Sequence, residues 1–201
     1  GLNTRFEASI DKPMQLYVND FDNNGSVEQM ITQFEGDSAY PISMLQDLVK
    51  QMPPLRKKVK DYNTYKDKMI DQLFEPVIFE RSLVWKAANL ETTLNLNKGD
   101  LEFEKDRLPK EVQFSQVHAI AFTDIDGDGN KDLIMGGNQL KARPEWGINN
   151  ASRGQVLTGN GQGEFSYLPE SKSGLSVDGE VRDIDVLEID GSKYVFFWRN
   201  N

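Results

Sequence analysis

"FTDIDGDGNKDLIM", Phe122 to Met135, sets four aspartates and two glycines ahead of an abrupt apolar run. Asp124, Asp126, Asp128 and Asp132 fall at positions 1, 3, 5 and 9 of this loop, and Asn130 at position 7 can offer its backbone carbonyl. Hard oxygen donors at this spacing suit Ca²⁺, which takes about six to eight of them at ~2.3–2.6 Å. Gly129 fits the sharp turn, because glycine adopts positive φ freely. Without a cation, carboxylates ~5 Å apart repel one another by roughly a few kcal/mol at an effective dielectric near 20. A glutamate at position 12, which a helix-flanked calcium loop of the EF-hand type requires, is replaced by Met135 in a strand-like run.

The same register recurs upstream in "NDFDNNGSVEQMI", which offers Asp20, Asp22, Asn24, the Ser26 carbonyl and Glu28, with Ile31 at position 12. With one fewer charge, this loop is expected to hold calcium more weakly than the Asp124 loop. A third copy, "VLEIDGSKYVFF", has Val186, Glu188, Asp190, Ser192 and Tyr194 at the matching positions; two side-chain ligands are lost and no ion is expected. A single acidic stretch of this kind also fits a solvated turn, but two copies in register favour a metal. Magnesium fits less well, since it keeps several waters and takes fewer protein ligands.

Independent landmarks set the register. "LNLNKGDLEFEKDRLP" (Leu94 to Pro109) and "VLTGNGQGEFSYLP" (Val156 to Pro169) share a strand, an Asn/Gly turn, a Phe and a closing Leu-Pro. Phe103 and Phe165 stand 62 residues apart (165 minus 103), as do Asp128 and Asp190 (190 minus 128). Gly25 and Gly129 are separated by 104, one period plus 42, and the surplus has a home between Gly36 and Glu91. There Leu45, Leu48, Met52, then Leu55, Val59, Tyr62, then Tyr65, Met69, Leu73 recur at helical spacing, with "SMLQ" (Ser43 to Gln46) as a capping box and Pro53-Pro54 as a break.

The rest reads as short antiparallel strands punctuated by Gly, Asn and Asp. Each unit runs strand, acidic loop, strand, variable connection, strand, hairpin, strand; four strands in about 60 residues is the size of a propeller blade. The units are Gln15 to Pro109 including the helical segment, Gln113 to Pro169, and a half unit from Glu180 to Asn201. The expected fold over 1–201 is therefore mainly β: about two and a half antiparallel four-stranded propeller-type blades, with a helical insertion at 36–91 inside the first. Such a partial ring calls for completion by the helices, by further blades of a longer chain or by another copy. Gly1 opening in mid-pattern agrees with a piece of something larger.

"VHAIAFTDIDGDGNKDLIMGG" followed by "GQVLTGNGQGEF" resembles the FG-GAP or VCBS repeat, the blade of integrin-α-like β-propellers and of many large secreted bacterial proteins. The resemblance covers most of the chain outside the helical insertion. It implies structural calcium, binding rather than catalysis, and an extracellular, periplasmic or cell-surface location.

Composition excludes other classes. A net charge of -9 disfavours nucleic acid and anionic lipid as partners. There is no cysteine for a thiol nucleophile or zinc knuckle, and no apolar run approaches the ~20 residues of a membrane span. No GxSxG, HExxH or phosphate-cradling motif occurs, and His118, the sole histidine, reads as a hydrogen-bonded strand residue rather than a catalytic one.

Ligand contact is expected on long loops. In "NQLKARPEWGINNASRG" (Asn138 to Gly154), Arg143, Glu145, Trp146, Asn149 and Asn150 combine an aromatic platform with hydrogen-bonding groups suited to a glycan or protein ligand. The plainer reading packs Trp146 under its loop and pairs Arg143 with Glu145. Strand alternation places this loop and the helical insertion together, at the end opposite the acidic loops. The insertion holds nine basic and eight acidic residues, so it is +1 and the remainder -10; Arg56, Lys57, Lys58 and Lys60 in "LRKKVK" form either a solvated helix face or a contact for an anionic partner. Three functions stay open: a calcium-stabilised module binding a glycan or protein, part of a glycan-active enzyme with two carboxylates about 5–9 Å apart beside Trp146, and a purely structural scaffold segment.

Overall fold

The computed structural model describes residues 2–200. Gly1 and Asn201, the ends of the expected span, lie outside them. The chain is mainly β with antiparallel sheets, and it divides into two compact units: Arg5–Leu90, and a second that takes the chain from Glu91 onward together with the few residues ahead of Arg5.

In the Arg5–Leu90 unit, β1 (Met14–Asn19), β2 (Glu28–Glu35), β3 (Ser38–Pro41) and β4 (Leu83–Ala87) form one sheet in the order β3-β2-β1-β4. Three short helices, α1 (Leu45–Gln51), α2 (Tyr62–Tyr65) and α3 (Pro76–Glu80), lie between β3 and β4. This corrects two expectations. The segment 36–91 is not helical throughout, because β3 and β4 occupy its ends. Nor does the hairpin near Leu94 complete the first sheet. A two-residue turn at Gly36-Asp37, with Gly36 at φ 62°, folds β3 back on β2, and β4 takes the open edge of β1 from Val18↔Leu83 to Met14↔Ala87. Backbone pairing satisfies an edge that would otherwise be left exposed.

Most of the expected helical positions form the core of this unit: Leu45, Leu48, Met52, Leu55, Val59, Tyr65 and Leu73 are buried, together with Met30 of β2 and Phe21, whereas Tyr62 stays exposed. Helices of seven residues or fewer have little stability of their own. Burial of each large apolar side chain, at about 1.5–3 kcal/mol, is what holds them. The capping box also moves. Met44, not Ser43, precedes α1 and gives no side-chain cap, and the Ser43 carbonyl accepts the Tyr65 hydroxyl at 2.6 Å. The box forms at α2 instead, where Thr64 N donates to Asp61 Oδ1 at 2.9 Å and Asp61 N donates to Thr64 Oγ1 at 3.3 Å.

The second unit contains β5 (Thr93–Gly99), β6 (Glu102–Arg107), β7 (Val117–Thr123), β8 (Asp132–Gly137), β9 (Gln155–Gly159), β10 (Phe165–Leu168), α4 (Glu170–Ser173), β11 (Glu180–Ile189) and β12 (Ser192–Asn200). Strands β7 to β10 form a four-stranded meander in the order β10-β9-β8-β7, the arrangement read from Gln113 to Pro169, while β5-β6 and β11-β12 are hairpins. In β7 the buried positions Ala119, Ala121 and Thr123 alternate with exposed His118, Ile120 and Phe122, as a strand with one covered face requires. β8 is buried along its whole length, because both of its own faces are covered. On one face Ala119, Ala121 and Ile134 meet Val181 and Ile184 of β11; on the other Leu133, Met135 and Leu157 meet Val112. Gly136 permits this approach, since a Cβ there would lie 2.7 Å from Val181 Cγ1.

Of the two 62-residue pairs, the phenylalanines are structural equivalents. Phe103 pairs with Asn97 across the β5-β6 hairpin and Phe165 with Gly159 across β9-β10. Asp190, 62 residues after Asp128, instead lies in a two-residue turn with Gly191, at φ 51° and 75°, which fits a type I′ hairpin.

Candidate metal centre

The two acidic loops share one hydrogen-bond scaffold. Gly25 N donates to Asp20 Oδ2 at 2.8 Å, and Gly129 N donates to Asp124 Oδ2 at 3.1 Å. Ser26 N donates to Asn24 Oδ1 and Asn130 N to Asp128 Oδ1, each at 2.7 Å. Across the loop mouth, Phe21 N donates to Glu28 at 3.0 Å and Ile125 N to Asp132 at 2.6 Å. Positive φ occurs at the same two places in each loop, Asn23 and Gly25 in one, Gly127 and Gly129 in the other. Side-chain oxygens that cap their own backbone turn the chain around the carboxylates.

Each loop gathers three carboxylates. Oxygens of Asp20, Asp22 and Glu28 lie within 4.8 Å of one another, as do those of Asp124, Asp126 and Asp128. Either group can hold a metal ion. Asn24, Ser26 and Asn130 sit in the same loops, where a side-chain or main-chain oxygen of each is at hand. The fit is sharpest in the first loop: Asp22 Oδ1 is buried and receives no hydrogen bond. A buried carboxylate oxygen without a donor is costly, and a cation supplies what the protein does not. In the second loop Asn130, through its backbone amide and then its side chain, holds the Asp128 carboxyl below its ordinary pKa and so favours the charged form.

Position 9 differs between the loops. Glu28 bonds Phe21 N through one oxygen and still joins its cluster. Asp132 is fully buried, one oxygen accepting from Ile125 N and the other from Gly159 N at 2.9 Å. It stands apart from the Asp124 group as a brace between the loop and the β9-β10 hairpin. Both oxygens of Asp132 are thus hydrogen-bonded, and each loop gathers three carboxylates within 4.8 Å of one another.

The surroundings differ as well. Phe21 is buried against Phe74, with ring centroids 4.8 Å apart, and against Phe79 at 6.4 Å. Asn19 Nδ2 donates to the Ile78 carbonyl at 2.7 Å. The helical segment thus lies on the acidic-loop end of its sheet, not at the opposite end as strand alternation suggested; β3 adds a strand and reverses the direction in which the insertion leaves. In the second loop Ile125 is 40% exposed, and Lys193 of β12 donates to the Asp124 carbonyl.

The Asn138–Gly154 connection does lie opposite its acidic loop, between β8 and β9. Asn138, buried and at φ 81°, fixes its base by donating to the Ser152 and Gly179 carbonyls and accepting from Ser115 Oγ and Ser152 N. Gln139 and Asn149 exchange backbone bonds at 2.7 and 3.0 Å. Arg143 does pair with Glu145, at 3.9 Å, and Glu145 is buried. Trp146 is 37% exposed, with Ile148 exposed nearby and Asn150 at the surface.

The sequence reading missed Glu180. It is buried beneath this loop and accepts from the backbone amides of Leu140 and Lys141 and from Arg182 at 2.9 Å. The two amides foremost, then Arg182, pull its pKa down to about 2. A carboxylate held ionised is the reverse of a general acid. Partial desolvation on the strand, then the charge of Arg182, pushes the His118 pKa down.

Comparison with protein-family models, with curated proteins and with solved structures finds no match for this chain.

Proposed function

We propose that the chain is a calcium-stabilised binding module built of propeller-type blades, which acts outside the cytoplasm and presents the Asn138–Gly154 loop to a glycan or protein. The observation that carries this reading is the recurrence of one scaffold: two loops 104 residues apart (Asp20 to Asp124) share three hydrogen bonds and two positive-φ positions, and each converges three carboxylates. Packing of β11 across β7 and β8, face to face, supports the blade arrangement. Leu187, Ile189, Tyr194, Phe196 and Trp198 leave an apolar surface on the β11-β12 hairpin, suited to a further sheet from a longer chain or another copy.

Calcium here is structural, drawing together carboxylates that repel one another without it. The binding surface is the exposed indole of Trp146 with the Arg143–Glu145 pair and Asn149 and Asn150 around it, on a loop whose base Asn138 and Glu180 hold rigid.

Thermal melting tests the metal. Calcium raises Tm relative to a chelated sample and magnesium does so less, with stabilisation of about 2.7 kcal/mol at a hundredfold excess over Kd. Asp22→Ala and Asp126→Ala each remove part of the gain. A melting curve indifferent to calcium, chelator and both substitutions sinks the proposal. For the ligand, a glycan array probed with the wild type and Trp146→Ala should show binding that the substitution abolishes.

A further inference from the structure

The Arg5–Leu90 unit contains a cavity of about 610 Å³ remote in chemistry from the acidic loops. It lies between α1 and α2, with the turn around Pro53 between them. Its accessible apolar surface comes from Val49 and Pro53, with Leu45 and Val59 buried in the core behind them. Across it the Tyr62 hydroxyl donates to Gln46 Oε1. The size falls within the range of pockets that enclose small organic ligands, about 300–1,000 Å³.

Three cations line the same cavity, Lys50, Arg56 and Lys60, and all are exposed. None makes an ion pair among the described residues, whereas neighbouring Lys58 is paired with Glu75. The one acid at the rim, Asp61, accepts from Thr64 N and Thr64 Oγ1 as a helix cap. Three positive charges against one negative therefore face an apolar hollow, in a chain whose net charge is -9. Cations gathered without partners beside an apolar wall are complementary to a molecule with both characters.

We infer that this cavity binds a small amphipathic carboxylate, its chain against Val49 and Pro53 and its head group on Arg56, Lys50 and Lys60. Arg56 suits the head because a guanidinium meets a carboxylate through two parallel hydrogen bonds. The lysines add point charges, and the Tyr62 ring closes the side of the groove.

Calorimetric titration of the full chain with decanoate, below its micelle-forming concentration, tests the inference. Binding is expected for decanoate but not for acetate, which lacks the chain, nor for decyltrimethylammonium, which reverses the head charge. Arg56→Gln with Lys60→Gln should weaken decanoate at least about tenfold, the size of one lost charge-assisted bond. Lys68→Gln, outside the cavity, should leave it unchanged. Val49→Asn should weaken decanoate while circular dichroism stays native. The inference is overturned by absence of decanoate binding, by equal binding of the cationic analogue, or by affinity that survives the double substitution. Tight binding of a hexaglutamate peptide that the double substitution removes, with no response to decanoate, would assign the surface to an acidic peptide instead.

Discussion

The acidic loop after β1 and the acidic loop after β7 have the same backbone and opposite supports. In the first, an aromatic side chain at position 2, Phe21, is driven into the helical core, and position 9, Glu28, is long enough to serve the loop amide and the carboxylate group together. In the second, position 2 is a largely uncovered Ile125, and the shorter Asp132 spends both oxygens on bracing the loop to Gly159. One loop is clamped by hydrophobic packing and the other by a buried carboxylate. A metal loop thus needs an anchor as well as ligands, and the anchor is free to vary.

The strongest test of the contrast is Phe21→Ala, which should destabilise the Arg5–Leu90 unit by about 3–5 kcal/mol, the usual cost of emptying a buried aromatic site. Ile125→Ala should stay within about 0.5 kcal/mol. Equal losses in denaturant unfolding would break the comparison.

Next in size, Asp132→Ala strips two backbone donors of their acceptor and should cost the second unit about 2–4 kcal/mol, with or without calcium. A loss that appears only in calcium would make Asp132 a ligand after all.

Acid tests Glu180, at the start of β11. Its pKa lies near 2 in the folded chain against an ordinary 4.5, so the unfolded chain takes up the proton first and stability declines as pH falls. The contribution is complete above about pH 5 and disappears towards pH 2, and Tm measured over that interval should fall less steeply in Glu180→Gln.

Calcium titration sharpens the position-9 contrast: Glu28→Gln should weaken the first loop about tenfold, whereas Asp132→Asn should change the affinity of the second less than about threefold. The smallest expected effect belongs to Lys193→Ala. Removing an ammonium from the Asp124 carbonyl should raise calcium affinity of the second loop about two- to threefold at low ionic strength, and the gain should vanish in high salt.

Much of this was legible in residue spacing. Period-two alternation in "VHAIAFT" marked β7, and the 62-residue interval marked hairpins that the structure forms at Phe103 and Phe165. The core positions of the helical segment from Leu45 to Leu73 followed from their three- and four-residue recurrence, because burial of one face imposes that period. What misled was strand count. Ser38–Pro41 and Leu83–Ala87 carry weak local signals, and they become strands because β2 and β1 offer them open edges.

By itself the sequence determined the loops: aspartates at alternate positions and glycines at the turn impose a carboxylate-lined curve within nine residues, since those bonds are all local. Only the tertiary structure decided which oxygens stay available and what covers them. Asp132 is committed by Gly159, 27 positions along the chain, and Phe21 by Phe74, contacts that exist only once separate strands and helices have packed.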